Sequence, residues 1–374
     1  MSDLQPDKNT SVFPHGHIDR SNWKRVRLGD VCKPCRGVRV IRNQLSQGRY
    51  LVYQNSLIPL GHYDKCNTPA NTTFVIAAGS AGEIGYCDEP FWAADDCFVL
   101  LPNEDVISKF LYYSLAAQQQ HISGLVRRGS VPRLARDIVG NLVLLLPDIA
   151  EQNKIVSALA AMDINISTIQ SLVIKYEAIK KATVNLLLVP RKNWRQIRLG
   201  DIGEVSMCKR ILKSQTSATG DVPFFKIGTF GKQPDAFISR TLFEDFKRRF
   251  SYPKVGDVLL SAAGTIGRTV VFNGENAYFQ DSNIVWIAND ESIISNPFLN
   301  VVYSQINWQT ENGGTVSRLY NANIQNTIVS IPDIEAQKRI VMILDSLDDT
   351  IIGLKAQLAK SQAIKQGMMS HFFG

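Results

Sequence analysis

Between residues 155 and 176 apolar side chains recur at alternating steps of four and three: Ile155, Leu159, Met162, Ile166, Ile169, Val173 and Tyr176. The same rhythm returns 185 positions on as Ile340, Leu344, Leu347, Ile351, Leu354 and Leu358, and Ser361 takes the next place. A 3.5-residue spacing held over about three heptads is a coiled-coil seam, and a seam needs a partner helix. The simplest partner for either helix is the other. The plainer alternative is two amphipathic helices, each lying on its own domain, but a globular face does not require so strict a spacing. Each helix opens at a repeated box, Pro147-Asp148-Ile149 followed by Gln152, and Pro332-Asp333-Ile334 followed by Gln337. Asp148 and Asp333 are natural N-caps. Glu151 stands where a capping box requires it, whereas Ala336 leaves the second start without the reciprocal bond, so that start is expected to be weaker.

Outside the helices the pattern is shorter in period and broken by Gly, Asn and Asp. Strands are predicted over 26–31, 72–77, 98–101 and 142–146, with equivalents over 197–205, 258–261, 284–287 and 327–331. Further helices are predicted over 106–122 and 297–309. These segments belong to an internal repeat. Trp23, Val26, Leu28, Gly29 and Asp30 return as Trp194, Ile197, Leu199, Gly200 and Asp201. Ala81-Gly82-Glu83-Ile84-Gly85 returns as Ala263-Gly264-Thr265-Ile266-Gly267, and its glycines suit a tight strand-to-strand turn. Gly129-Ser130-Val131-Pro132-Arg133-Leu134 returns as Gly314-Thr315-Val316-Ser317-Arg318-Leu319. The offset grows from 171 to 185, so the second copy carries fourteen extra residues early in its globular part.

The predicted fold is therefore α+β: two tandem globular domains, each followed by a long coiled-coil helix, related as an internal repeat. The expected boundaries are a disordered arm over 1–22, a first domain over 23–147 and a first helix over 148–189. A second domain follows over 190–332 and a second helix over 333–374.

Composition changes this picture little. Hydrophobic residues make up 45% and charged residues 20%, values of an ordinary globular protein. No uninterrupted apolar run reaches the roughly 18 residues that span a bilayer, and the polar start lacks a signal-peptide core. The expectation is a cytoplasmic protein with no membrane partner. The net charge of +7 permits a polyanionic ligand without demanding one. Cys32-Lys33-Pro34-Cys35 is the one cysteine spacing that suggests metal or redox chemistry, but it lacks a second ligand pair and a βαβ context. Reduced thiols near a turn, and no metal, are expected.

At this point the duplicated boxes resemble a known family, the specificity subunits of type I restriction–modification systems, over about residues 23–374. The resemblance implies that each globular half is a target recognition domain reading one half of a split site in double-stranded DNA. It implies that the two long coiled-coil helices lie antiparallel in a pseudo-two-fold repeat, separate the domains as a spacer and dock two methyltransferase (modification) subunits, and that restriction (translocase and endonuclease) subunits join the assembly. It implies no cofactor in this chain, S-adenosylmethionine belonging to the partner methyltransferase. Asp148 and Asp333 stand where the family often has a second proline, which changes little because aspartate caps well.

Phosphate contacts position a DNA-binding protein, and contacts to base edges specify its sequence. In the first domain Lys33, Arg36, Arg39, Arg42, Gln44, Arg49 and Tyr53 mix cations with amide and aromatic groups, and Arg127, Arg128, Ser130 and Arg133 form a second cluster. Arginine suits guanine and glutamine suits adenine. In the second domain the candidates are Lys209, Arg210, Lys213, Lys226, Lys247, Arg248 and Arg249, then Arg318, Tyr320, Asn321 and Asn323. Any one of these could be a solvated surface group; the clusters carry more weight than their members. Arg133 and Arg318 occur in both copies, which suits phosphate or the junction with the helix better than half-specific reading.

Chemistry of other kinds finds little support. Gly79-Ser80-Ala81-Gly82 is not followed by the Gly-Lys-[Ser/Thr] of a phosphate loop. Ser295-Asn296-Pro297-Phe298 has one proline where a base-flipping methyltransferase motif has two, and it reads as a helix start. Asp95-Asp96 and Asp281 suit turns or caps better than a metal pair, and the five histidines form no legible triad. The leading expectation is a non-catalytic DNA-recognition subunit. The alternatives are a coiled-coil scaffold with protein-binding domains, or a self-contained methyltransferase or restriction enzyme.

Overall fold

The computed structural model describes residues 20–308 and 318–374. In the first half, β1 (Lys24–Arg27) runs antiparallel to the last strand of that half, β9 (Val143–Leu146), with Val26 opposite Leu144. Between them come β2 (Cys35–Arg36), β3 (Tyr50–Tyr53), β4 (Gly61–Tyr63), β5 (Thr72–Ile76), β6 (Ile84–Cys87), β7 (Trp92–Ala93) and β8 (Cys97–Leu100). They form an antiparallel sheet in the order β2-β8-β5-β6 and a smaller one in the order β4-β3-β7. Strands β5 and β8 are buried at every position, which their β-branched and aromatic residues favour.

The second half repeats this topology. Its strands are β10 (Arg195–Arg198), β11 (Val205–Met207), β12 (Val222–Phe225), β13 (Phe237–Ile238), β14 (Val258–Ser261), β15 (Thr269–Val271), β16 (Tyr278–Phe279), β17 (Ile284–Ile287) and β18 (Ile328–Ile331). Their orders are β10-β18, β11-β17-β14-β15 and β13-β12-β16. The Ala-Gly-x-Ile-Gly boxes make the β5–β6 and β14–β15 hairpin turns, as the glycines predicted.

Helices α1 (Leu28–Val31), α2 (Ser108–Ala117), α3 (Gln119–Gly124), α4 (Arg136–Gly140) and α5 (Ile149–Leu187) belong to the first copy. Helices α6 (Arg240–Arg249), α7 (Asn296–Tyr303), α8 (Asn321–Asn326) and α9 (Ile334–Phe373) belong to the second. Three expectations are corrected. The strand predicted over 26–31 stops at Arg27, because the Asp30 carboxylate accepts from Arg27 N–H at 3.3 Å and turns the chain into α1. Asp201 does the same to Arg198 at 2.9 Å, so the strand predicted over 197–205 divides into β10 and β11. The helix predicted over 297–309 ends at Tyr303, and Gln309 lies outside the described residues. It does start at Ser295-Asn296-Pro297, with proline in its first turn. Most of the extra length of the second copy is α6. It lies in the 239–257 connection between β13 and β14, where the first copy has only 64–71 between β4 and β5.

The long helices are anchored identically. Asp148 accepts from Glu151 N–H and Asp333 from Ala336 N–H, both at 2.8 Å. Gln152 is fully buried. Its Oε1 accepts from Ile107 N–H at 2.9 Å, and its Nε2 donates to Asp105 O at 2.8 Å and Pro147 O at 3.0 Å. Gln337, also fully buried, bonds Ser295 N–H, Ile293 O and Pro332 O in the same way at 2.9, 3.1 and 3.1 Å. A buried carboxamide with every group satisfied ties the helix to its domain, and this is why glutamine closes both boxes. The capping box expected at Glu151 is not made: its Oε2 accepts from Trp23 Nε1–H at 3.2 Å, tying the Trp box to the helix.

Contacts divide the chain into two compact units, one running up to Ser171 and completed by Ala356–Gly374, the other Leu172–Lys355. In the first unit the start of α5 meets the end of α9: Ile155, Leu159 and Met162 share a core with Ile364, Met368 and Phe373, and Asp163 pairs with Lys365. In the second the end of α5 meets the start of α9: Val184 and Leu187 share a core with Ile340, Leu344 and Leu347. There Lys180 pairs with Asp348, and Glu177 with Lys355 at 2.7 Å. The two helices are thus antiparallel. Asp163–Lys365 and Asp348–Lys180 are the same pair repeated, each residue having its counterpart 185 positions away. Along the seam Ile155, Leu159, Ile169, Val173, Ile340, Leu344 and Ile351 are buried, and Met162, Ile166, Leu347, Leu354 and Leu358 are half-buried. Full burial of one such side chain stabilises by roughly 1.5–3 kcal/mol. By length and composition α5 could cross a membrane, contrary to the run-length expectation, but its ion pairs and seam are those of a helix packed on a helix.

Arg20 is already ordered. Its guanidinium donates to Gly374 O at 2.5 Å and His371 O at 2.8 Å, a cation on the last carbonyls of α9. The rest of the expected arm, 1–19, lies outside the described residues.

Candidate nucleic-acid interface

In the first half a short finger rises from the end of β5. Arg127 and Arg133 exchange backbone hydrogen bonds at 2.9 and 3.1 Å, and the five residues between them, Arg128, Gly129, Ser130, Val131 and Pro132, are all exposed. The root is stitched to the Ala-Gly segment: Leu134 N–H donates to Ala77 O at 2.8 Å and Gly79 N–H to Pro132 O at 3.2 Å. Gly79 is needed there. Its φ is 85°, and a Cβ would come within 2.6 Å of Asn55 O.

Arg36, on β2, donates from Nε to Asp95 O at 2.6 Å. With Arg127, Arg133 and Asp96 it lines a cavity of about 360 Å³. Three arginines from distant segments thus surround one opening, and no carboxylate among the described residues pairs with Arg127, Arg128 or Arg133. Guanidinium forks so placed match phosphate geometry.

The second half builds the same root. Ala263 bridges Arg318 as Ala78 bridges Arg133, and Leu319 N–H donates to Ala262 O at 2.9 Å. Arg318 also donates from Nη2 to Ser282 O at 3.1 Å. Gly314-Thr315-Val316-Ser317, the sequence counterpart of Gly129-Ser130-Val131-Pro132, lies outside the described residues.

The family described as type I restriction modification DNA specificity domain matches residues 20–176 and again 191–366. The chain belongs to this family. A type I restriction enzyme specificity subunit from Haemophilus influenzae is 42% identical over 269 residues, 69% of either chain. A type I specificity subunit from Mycoplasma pneumoniae is 25% identical over 344 residues, 87% of this chain and 89% of its own length. The crystal structure of a type I restriction–modification S subunit from M. genitalium shares the fold with a TM-score of 0.68 at 18% identity, covering 94% of this chain and 96% of that one.

The other candidate residues of this specificity subunit divide into four groups. Lys33, Arg39, Arg42 and Lys213 are exposed cations with no ion pair among the described residues, available to a polyanion. Arg49 pairs loosely with Glu89 at 3.5 Å, while Arg210 with Asp281 and Lys226 with Asp235 pair at 2.9 Å each. Lys209, Lys247, Arg248 and Arg249 gather around the end of α6. Arg128, Ser130, Tyr320 and Asn321 are exposed.

Three candidates are engaged within the protein itself. Tyr53 is not free to stack on a base: it packs against Phe74 and Phe91 with ring centroids 4.8 and 5.4 Å away, and burial pushes its hydroxyl up to about 12. Gln44 spends its carbonyl oxygen on Ile41 N–H at 3.0 Å, and Asn323 spends its own on Tyr320 N–H at 3.2 Å to cap α8. Glutamine 44 is a turn residue with a counterpart, Gln215, which takes Leu212 N–H at 2.8 Å. These paired turns present exposed Ile41 (43%) and Leu212 (56%) beside Arg42 and Lys213, an apolar tip next to a cation that suits a thymine methyl beside a phosphate. The shared signal in the sequence was [Arg/Lys]-x-Gln at an offset of 171. Cys32 is buried, which pushes its thiol up to about 12, and it lacks the low-pKa character of a redox pair.

Proposed function

We propose that this specificity subunit reads an asymmetric, two-part sequence in double-stranded DNA, one globular half to each part. The observation that carries the proposal is the finger of the first half, rooted beside Arg36, Arg127 and Arg133, with the same root rebuilt at Arg318. The arginines at the root grip phosphate, while Arg128 and Ser130 at the tip reach base edges. Shared roots with different surroundings support a common grip and different sequence choice. The long helices set the gap between the two parts of the site and dock two methyltransferase subunits; the exposed Ile164, Ile174, Met342 and Ile352 support docking of a partner. Restriction subunits join the same assembly. The chain itself has no catalytic role, works in the cytoplasm and leaves S-adenosylmethionine to the methyltransferase.

The test is methylome sequencing of a host carrying the chain with its methyltransferase, before and after residues 24–146 are exchanged for another reader domain. One half of the methylated motif should change and the other remain. A change in both halves or in neither overturns modular reading, and methylation by the purified chain alone overturns the non-catalytic role.

A further inference from the structure

The second half carries something the first lacks. Helix α6 is an insertion, capped by Ser239 Oγ accepting from Leu242 N–H at 3.3 Å. One face is fixed in the core by Phe243, with Leu242 and Phe246 packed around it. Its last turn carries Lys247, Arg248 and Arg249, all exposed. Two of these cations lie over aromatic rings: Lys247 Nζ is 5.2 Å from the Phe243 centroid and 5.1 Å from that of Tyr252, and Arg249 is 5.2 Å from that of Phe250.

A helix C-terminus favours cations for its own sake. That does not explain Lys209, which comes from the segment after β11 and also sits 5.2 Å from the Phe250 centroid. Phe250 gathers cations from two segments. Against Lys209, Lys247, Arg248 and Arg249 stand Glu244 and Asp245, and Asp245 takes both arginines, at 3.0 and 2.7 Å. The patch is also continuous with the finger root. Arg210, next to Lys209, holds Asp281, and Arg318 donates to the adjoining Ser282.

Resting on the reading above, we infer that the α6 patch grips DNA backbone outside the half-site read by the second domain. It adds sequence-independent affinity on one side only, so the two halves of the target are held unequally. The first half has no equivalent, since 64–71 is too short to hold such a helix.

The test is the salt dependence of binding by the full chain to a mixed-sequence duplex of about 40 base pairs, where each lost phosphate contact lowers the slope by about 0.9. Replacing Lys247, Arg248 and Arg249 with Gln should lower the slope by about 1.8, since Asp245 already offsets one of the three charges, and Lys209→Gln, which lies outside the helix, by about 0.9. The methylated motif should stay the same. A wild-type chain with no salt-dependent duplex binding defeats the DNA-reading proposal itself. A normal wild-type slope that both variants retain, with or without loss of unfolding stability, overturns this inference alone. Arg127→Ala with Arg128→Ala, in the first domain, shows that the assay resolves a lost contact.

Discussion

The two globular halves agree bond for bond in their framework and part company in how they treat their cations. Gln152 and Gln337 make the same three hydrogen bonds, and Leu134 and Leu319 hang their fingers on Ala77 and Ala262 in the same way. In the first half Arg127, Arg128 and Arg133 face solvent unpaired. In the second, Arg210, Lys226, Arg248 and Arg249 are held by the domain's own Asp281, Asp235 and Asp245. The difference teaches which residues are free to vary. A buried amide left without partners costs stability, so the framework repeats. A solvated cation costs little to move, so the reading surface diverges. It also means that phosphate must displace an internal carboxylate at Arg210, Lys226, Arg248 and Arg249 and only water at Arg127, Arg128 and Arg133.

Breaking the framework should have the largest effect. Gln152→Ala and Gln337→Ala each strand three buried groups, and each should cost about 3 kcal/mol in urea unfolding. A loss confined to one of them would end the equivalence of the two anchors. The contrast between cations is sharpened by salt titration of DNA binding. Arg127→Ala with Arg128→Ala should lower the slope by about 1.8, while Arg210→Ala with Lys226→Ala should lower it by clearly less. Equal falls would erase the distinction. In the helix pair Asp163 binds Tyr113 Oη–H at 2.6 Å as well as Lys365, whereas among the described residues Asp348 pairs with Lys180 alone. Asp163→Asn should therefore destabilise by about 1 kcal/mol more than Asp348→Asn in thermal unfolding. Smallest is Glu151→Ala, which loses one half-exposed bond to Trp23 and should cost about 0.5 kcal/mol; a cost above that of Gln152→Ala would make the indole the true anchor.

Much of this was legible in the residues. The seam, the repeat and the Asp caps follow from periodicity and side-chain chemistry, and β14 and β17 were located to the residue. Two-residue strands such as β2, β7 and β16 were missed, because so short a span holds no measurable alternation. The internal contacts of Tyr53 and Gln44 were hidden for another reason. A polar or aromatic residue among arginines looks the same in sequence whether it faces solvent, packs under a sheet or closes a turn, and only the tertiary partners Phe74, Phe91 and Ile41 decide. Helix α6 was visible only as a charge cluster and an unexplained offset. The repeated Asp163–Lys365 and Asp348–Lys180 pairs were in plain view at an offset of 185, but pairing needs the antiparallel arrangement to be known first.

The core of the first half contains Met368, with Phe372 and Phe373 packed against it. A nascent chain cannot close its first domain until residue 368 has left the ribosome, long after the second domain has begun to fold. A nonsense mutation a few codons before Met368 should therefore cripple the reader encoded at the opposite end of the gene and leave the adjacent one standing.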